Sequence, residues 1–186
     1  YRVKLGTNGR DLLLALDGIQ YFSSGTIHCD NCSKKTKGGE TIYSHSMVTP
    51  TIVGPGKDNV ISLAPEFVVP QDGDKKQDCE LKASKRWIDT HGQKYSPLEI
   101  TVLGDDLYAH DPWCKKVLEK QFNFIFVCKP ESHKTVYEWV KGITKEYVED
   151  RFDGKKHLIY TYRYAEKVPL REQVKKDDEP LFVQFV

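Results

Sequence analysis

Runs of apolar residues predict the strands of a buried sheet. Residues 12–16 are all apolar and end at Asp17-Gly18, which is a turn signal. Residues 98–103 and residues 122–128 are two further runs, each mostly apolar. Apolar runs of this length, closed by turn residues, are typical of strands that are buried on both faces.

Two other segments have the composition of strands. Residues 43–53 and 60–69 are rich in β-branched and aromatic residues, and the Gly-Pro-Gly sequence at 54–56 lies between them. With the first apolar run, they predict an antiparallel meander of three strands. Residues 23–41 are polar and glycine-rich, so we expect an excursion between the first two strands.

The period then changes to that of helices. Apolar residues recur every three or four positions over 74–91, and Gly92 follows as the expected end of that helix. Asp111-Pro112 is a cap followed by proline at a first helical position, which predicts a second helix. Residues 131–140 have a helix-like pattern as well.

The order of the elements indicates the fold class. Three strands are followed by helix, strand, helix and strand, and residues 143–186 are rich in Tyr, Val and charges, which predicts antiparallel strands. This order predicts an α/β protein with a mixed sheet and helices on its faces, followed by a β-rich C-terminal segment. It resembles the ribonuclease H-like fold, which we expect over residues 1–142.

Composition excludes some classes and leaves others open. The chain has 186 residues, of which 39% are hydrophobic, 11% aromatic and 30% charged, and its net charge is +1. Disordered chains have few aromatic residues and a large net charge, so we expect a folded protein. The near-zero charge argues neither for nor against nucleic acid as a partner. No apolar run has the ~20 residues of a membrane helix, and no signal peptide pattern is seen.

The cysteines favour a reducing compartment. There are five of them, an odd and sparse set, whereas secreted disulfide frameworks are usually even and dense. Cys29 and Cys32 have the spacing of a zinc knuckle, and His45 and Cys79 are candidates for the remaining ligands. Because a single CxxC pair is a weak signal, two reduced thiols in a loop remain the alternative.

Acidic residues follow the two most apolar strands. Asp17 comes after residues 12–16, and Asp105 and Asp106 come after the run at 98–103. Ligand sites form at strand ends in α/β sheets, and carboxylates brought together there select Mg²⁺ or Mn²⁺. Two such ions promote in-line phosphoryl displacement. The structural alternative is that these residues only form a turn and a helix cap.

Glu80 is a third candidate acid. In a helical projection of residues 74–91, Glu80 lies inside the apolar arc, within about 20° of Trp87. An inward carboxylate needs a partner or a metal. A strand Asp, a helix Glu and a strand Asp form the arrangement of ribonuclease H. The alternative is that Glu80 pairs with a lysine.

Several blocks of the sequence resemble the catalytic core of bacterial insertion-sequence DDE transposases of the group that carries a β-rich insertion domain. They are LALDGIQYFSS, IHCDNCSKKT, LAPEFVVPQDGDKKQDCELKASKRW, TVLGDDLYAHDPWC and FIFVCKPESHKTVYEWV. The likeness covers roughly residues 11–140. Residues 143–186, with DDEPLFVQFV, are similar to the start of the insertion domain.

The resemblance implies an activity and a set of ligands. Members of the family cut transposon ends and join them to target DNA, using Mg²⁺ held by two Asp and one Glu. By position the two aspartates are Asp17 and Asp105, with Asp106 as the neighbouring alternative to the second. The glutamate lies on a helix after the insertion, so we expect it beyond Val186 and expect this chain to be a truncated core that need not be active alone.

The resemblance also implies partners and a location. We expect double-stranded DNA as the substrate, a homodimer acting on paired ends, no membrane, and a cytoplasmic, nucleoid-associated bacterial protein. Two alternatives remain open. One is a ribonuclease H-type nuclease that uses Asp17, Glu80 and Asp105, and the other is a non-catalytic DNA-binding or assembly fragment of a decayed transposase.

Overall fold

A computed structural model describes residues 2–3, 11–69, 76–154, 156–170 and 180–186. The described residues form a mixed α/β structure with several sheets and three α-helices. The helices are α1 (Lys76–Tyr95), α2 (Asp111–Glu119) and α3 (Lys134–Val140). The strands are β1 (Arg2–Val3), β2 (Asp11–Ala15), β3 (Gly18–Ser24), β4 (Ser33–Lys37), β5 (Glu40–Val48), β6 (Thr51–Val53), β7 (Ile61–Ser62), β8 (Glu66–Phe67), β9 (Ile100–Gly104), β10 (Asn123–Phe126), β11 (Lys145–Asp153), β12 (Lys156–Pro169) and β13 (Phe182–Phe185).

The central sheet has the strand order β10-β9-β2-β6-β7, and β1 also pairs with β2. Strands β2, β9 and β10 are parallel to one another, whereas β6 and β7 are antiparallel additions. The three apolar runs therefore lie side by side, and Leu14, Ile100 and Val102 are buried in this sheet. The sheet is mixed, as the element order predicts.

The predicted meander is present, but each of its strands is interrupted. Strands β2 and β3 pair with β6 and β5 in one continuous antiparallel register, from Leu13 opposite Val53 to Gln20 opposite Ser46. Between the two ladders, the amide of Thr49 donates to the carbonyl of Asp17 over 3.0 Å. Strands β7 and β8 then pair with β6 and β5. One long strand pair thus contributes to two neighbouring sheets.

The polar excursion contains a strand that the sequence pattern did not predict. Strand β4 pairs with β5, and Lys37 faces Glu40 across the two-residue turn Gly38-Gly39. Both glycines have positive φ, 62° and 86°. A two-residue hairpin turn with both central residues at positive φ is where glycine is favoured. The excursion therefore consists of a loop followed by the first strand of the β4–β5 hairpin.

Helix α1 is longer than its pattern predicts. It continues through Gly92 to Tyr95, where proline at position 97 begins a short 3₁₀ turn. Gly92 is needed for packing and not for termination, because a Cβ there would lie 2.9 Å from Cγ of Lys120. The buried side of the helix is formed by Ala83, Ser84, Trp87 and Ile88, at helical spacing.

Trp87 anchors α1 to the rest of the core. It is almost completely buried, and its indole nitrogen donates to the carbonyl of Ala64 over 2.9 Å. Its ring also stacks on Tyr95. Burial of a large apolar side chain contributes ~1.5–3 kcal/mol, so this face fixes the orientation of α1 and of the acidic residue that it carries.

The chain divides into two compact units, residues 1–127 and 128–186. The second unit contains α3 and the antiparallel sheet β11-β12-β13, with Val136, Val140, Ala165 and Val168 as its buried core. A β-rich second sheet agrees with the pattern of the tail. The division falls before α3, whereas the sequence-based boundary lies at 142/143; helix α3 packs on β12 and so belongs with the tail.

In the described part of the chain, no helix has both the length and the apolar character that crossing a membrane requires.

Candidate functional site

The register of the parallel strands brings Asp17 and Asp105 to the same edge of the sheet. Ala15 of β2 faces Leu103 of β9, and the amide of Leu16 donates to the carbonyl of Leu103 over 2.9 Å. Asp17 follows β2 and Asp105 follows β9, each two residues beyond this last pair. Because β2 and β9 are parallel, both aspartates follow the carboxyl ends of neighbouring strands.

Each aspartate is oriented by the turn that follows it. Oδ1 of Asp17 accepts a hydrogen bond from the amide of Gly18 over 2.8 Å. Oδ1 of Asp105 accepts one from the amide of Leu107 over 3.0 Å and so caps the 3₁₀ turn that begins at Asp106. Both side chains are exposed. The capping role that the sequence left as an alternative is therefore real for Asp105, and it holds the carboxylate in a fixed direction without burying it.

Glu80 is buried against the start of β3. Its side chain is only 8% exposed, as its place in the apolar arc predicts. A Cβ on Gly18 would lie 2.7 Å from Cγ of Glu80, and still closer to its carboxyl atoms. The glycine after Asp17 therefore provides the space in which the Glu80 carboxyl group lies, one residue from Asp17.

Tyr108 lies beneath the acidic residues, and the sequence did not identify it. Its ring is buried, and its hydroxyl is 3.1 Å from Oγ of the fully buried Ser84. Burial raises the pKa of Tyr108 well above its usual range, and the negative charges of Glu80, Asp105 and Asp17 raise it further, against the opposing effect of the Ser84 hydrogen bond. The charges of all three acids therefore raise the pKa of the same phenol, which stays protonated.

The three carboxyl groups do not form a closely spaced set of ligand atoms. Among the described residues, only one set of three or more His, Cys, Asp or Glu side chains has its ligand atoms within 4.8 Å of one another, and it is not the acidic set. Exposed carboxylates repel, and a cation is what would draw them together. Their oxygen donors fit Mg²⁺ or Mn²⁺ in chemical type.

The set whose ligand atoms do lie this close together consists of Cys29, Cys32 and His45, and we call it the thiol–imidazole group. The two sulfurs are 3.8 Å apart, and each is 3.3 Å from Nε2 of His45. A disulfide would need ~2.05 Å, so both thiols are reduced. The CxxC spacing predicted the cysteine pair, and His45, which the sequence analysis gave as a candidate ligand, lies beside it on β5. The side chain of Cys79, the other candidate ligand, lies outside the described residues.

Basic residues line the strand beside this group. Lys34, Lys35 and Lys37 are exposed along β4, and the ammonium group of Lys34 is 5.8 Å from the centre of the Tyr43 ring. Strand β4 is at the edge of its sheet, in the order β3-β5-β4. These three lysines thus form a row of positive charge at a sheet edge.

Comparison with known proteins adds no family. The chain matches no protein-family model and no curated protein sequence.

Proposed function

We propose that this chain is the catalytic core of a metal-dependent DNA strand transferase of the DDE transposase kind. The observation that carries the proposal is the parallel β2–β9 pairing, since Asp17 and Asp105 follow the carboxyl ends of these neighbouring strands. Ligands of open α/β sheets bind at this edge. The resemblance of the sequence blocks to these transposases points to the same two residues.

The strand arrangement supports the same proposal. A three-strand antiparallel meander leads through α1 to the parallel strands β9 and β10, which extend the sheet on the other side of β2. This is the arrangement that a ribonuclease H-like core requires, with its acids on the central strand and on the strand next to it. The fold-level likeness is an analogy, and the acidic residues carry the functional part of the argument.

The residues have separable roles in this proposal. Asp17 and Asp105 hold Mg²⁺ or Mn²⁺ through exposed carboxylates that the following turns orient. The bound ions would supply activation of the attacking oxygen and neutralisation of charge on the phosphate. Tyr108 and Ser84 are buried and hydrogen-bonded to each other next to the acids. The row of lysines on β4 provides positive charge suited to DNA phosphates.

A second candidate function is a ribonuclease H-type nuclease whose third acid is within the chain. The observation that favours it is the position of Glu80, buried in α1 with its carboxyl group against Gly18. In the transposase proposal the third acid is a different glutamate, and Glu80 only packs against Gly18. In the nuclease proposal Glu80 itself joins Asp17 and Asp105 around the ions.

Both candidate functions require Asp17 and Asp105 to bind a divalent metal ion. Measuring metal binding to variants tests this requirement. Calorimetric titration with Mn²⁺ should show binding to the wild-type chain, loss in Asp17→Asn and in Asp105→Asn, and no change in Asp58→Asn. Asp58 is the matched control because it is an exposed aspartate in a turn outside the site. If the wild type binds no Mn²⁺ at millimolar concentration, the non-catalytic DNA-binding fragment becomes the better proposal.

Nuclease assays on Glu80→Gln separate the two candidates. If the chain cleaves an RNA–DNA hybrid and this substitution lowers the rate by roughly 100-fold or more, Glu80 is a catalytic acid and the nuclease candidate is correct. If transposon-end DNA is cleaved and joined to target DNA, and Glu80→Gln leaves that rate within a few-fold, the transposase candidate is correct.

A further inference from the structure

We infer that the thiol–imidazole group is a zinc site in which Cys29, Cys32 and His45 supply three ligands and water supplies the fourth. The site is separate from Asp17, Glu80 and Asp105, which we call the acidic edge, and does not depend on the function proposed for them. Soft thiolates with imidazole select zinc, whereas the oxygen donors of the acidic edge select Mg²⁺ or Mn²⁺.

The distances among the three ligand atoms suit one tetrahedral ion. With Zn–S of ~2.3 Å and Zn–N of ~2.05 Å, tetrahedral angles require ~3.8 Å between the sulfurs and ~3.6 Å between sulfur and nitrogen. The observed separations are 3.8 Å for the sulfur pair and 3.3 Å for each sulfur and Nε2 of His45. A shift of the imidazole by about 0.3 Å would complete the fit.

The backbone and the aromatic residues hold the ligands in place. The amide of Cys29 donates to Sγ of Cys32 over 3.3 Å, and the amide of Cys32 donates to the carbonyl of Cys29 over 3.2 Å. Hydrogen bonds from backbone amides to sulfur stabilise thiolates at metal sites. The ring of His45 lies between Tyr21 and Phe22, with centroid distances of 5.8 and 5.7 Å. The three ligands are thus oriented before any metal arrives.

The segment that carries the cysteines has almost no core of its own. From residue 25 to residue 40, Cys32 is the only buried residue, and Ile27 is 69% exposed. A segment that buries so little apolar surface needs a crosslink or a metal to be stable. Zinc would join the Cys29–Cys32 turn to β5 through His45 and so would fix the β4–β5 hairpin with its lysine row.

The fourth position is assigned to water because, among the described residues, no fourth His, Cys, Asp or Glu belongs to the group. His28 is adjacent in sequence but its ring stacks on Tyr43 at 4.3 Å, and its Nδ1 is 3.1 Å from the carbonyl of Thr26. It is therefore the natural control residue: an imidazole next to the ligand Cys29 that the geometry assigns to a different contact.

Metal analysis of the full chain, purified under reducing conditions, tests the site. We expect one zinc per chain, and Co²⁺ added to the metal-free protein should give the charge-transfer and d–d absorption of tetrahedral thiolate coordination. The variants Cys29→Ser, Cys32→Ser and His45→Gln should bind Zn²⁺ at least 10- to 100-fold more weakly. His28→Gln and Cys128→Ser should bind it as the wild type does.

Three results would overturn the inference. One is a reduced wild-type chain that binds neither Zn²⁺ nor Co²⁺. The second is His45→Gln with wild-type affinity and spectrum. The third is Cys79→Ser with lost thiolate absorption, which would replace water by a fourth protein ligand. To separate metal loss from misfolding, hydrogen exchange should show deprotection confined to residues 25–45 in Cys29→Ser, with α1 unchanged.

Discussion

The acidic edge and the thiol–imidazole group are two candidate metal sites of the same unit, and they are built in opposite ways. The acidic edge joins residues from β2, α1 and the end of β9, which are far apart in sequence. The thiol–imidazole group comes from one stretch in which the outermost ligands are 16 residues apart. The first depends on the core of the unit, and the second depends on one hairpin.

The two sites also differ in how complete they are before a metal binds. The sulfur and nitrogen atoms of the thiol–imidazole group already lie within 4.8 Å of one another, whereas the carboxylates of the acidic edge do not. Neutral thiols and imidazole can approach closely, but carboxylates repel until a cation is present. The three protein ligands of the thiol–imidazole group can therefore be positioned in advance, while the carboxylates of the acidic edge stay apart until an ion binds.

The largest effect should come from filling the space beside Asp17. Gly18→Ala puts a methyl group where Glu80 now lies, because the added Cβ would be 2.7 Å from Cγ of that residue. We expect a loss of ~1–3 kcal/mol in the free energy of unfolding, typical of overpacking, with weaker Mn²⁺ binding and unchanged Zn²⁺ binding. Urea unfolding and metal titration measure both.

A double-mutant cycle identifies the cause of that loss. In a Glu80→Ala background the side chain that the methyl group would meet is absent, so Gly18→Ala should cost much less there. Equal losses in both backgrounds would mean that the contact between position 18 and Glu80 is not the source. Altered Zn²⁺ affinity in either variant would mean that the two sites are coupled.

The stability of the protein should also depend on pH, through the buried Tyr108 next to the acidic edge. The pKa of Tyr108 is raised by burial and by the nearby acids, so above pH ~10 the unfolded chain loses this proton while the folded chain keeps it. The contribution of Tyr108 to stability is therefore fully present below pH 10 and falls as the pH rises, by up to about 1.4 kcal/mol per pH unit. Urea unfolding from pH 8 to 11 measures the slope.

Tyr108→Phe should make the slope of unfolding free energy against pH shallower. The thiol of Cys114 should account for part of the slope that remains. Burial first, and then Asp111, raise the pKa of Cys114 to about 12. Its contribution also declines with rising pH, beginning near pH 9, so Tyr108→Phe with Cys114→Ala should be flatter than either single variant. If Tyr108→Phe leaves the slope of unfolding free energy against pH unchanged, the phenol of Tyr108 does not cause the pH dependence.

The smallest effect concerns the lysine row. If β4 contacts DNA phosphates, Lys35→Gln should reduce affinity modestly and lower the salt dependence of binding, by up to ~0.9 in the slope of log affinity against log salt. Lys156→Gln makes the same charge change on an exposed residue of the second unit and should leave the slope unchanged. Equal effects of the two would indicate diffuse attraction without a defined surface.

Some of these features follow from the sequence alone. The apolar runs predicted the strands β2, β9 and β10, because a strand covered on both faces needs apolar residues at almost every position. Burial on both faces was wrong for the third run, since β10 lies at the edge of the sheet and Ile125 is 54% exposed. Helical spacing predicted that Glu80 is buried, and the CxxC spacing predicted that the two thiols lie close together. Local periodicity determines which way a side chain faces, and that information is present in any window of the chain.

Other features were decided only by the tertiary structure. Strand β4 has exposed polar residues on both faces, so no alternating pattern marks it, and only pairing with β5 makes it a strand. The contact of Glu80 with Gly18 and the placement of Tyr108 beneath three acids depend on how α1 packs on the sheet. The approach of His45 to the cysteines depends on the register of β5. Register and packing depend on contacts between segments that are distant in sequence, so a local sequence pattern does not predict them.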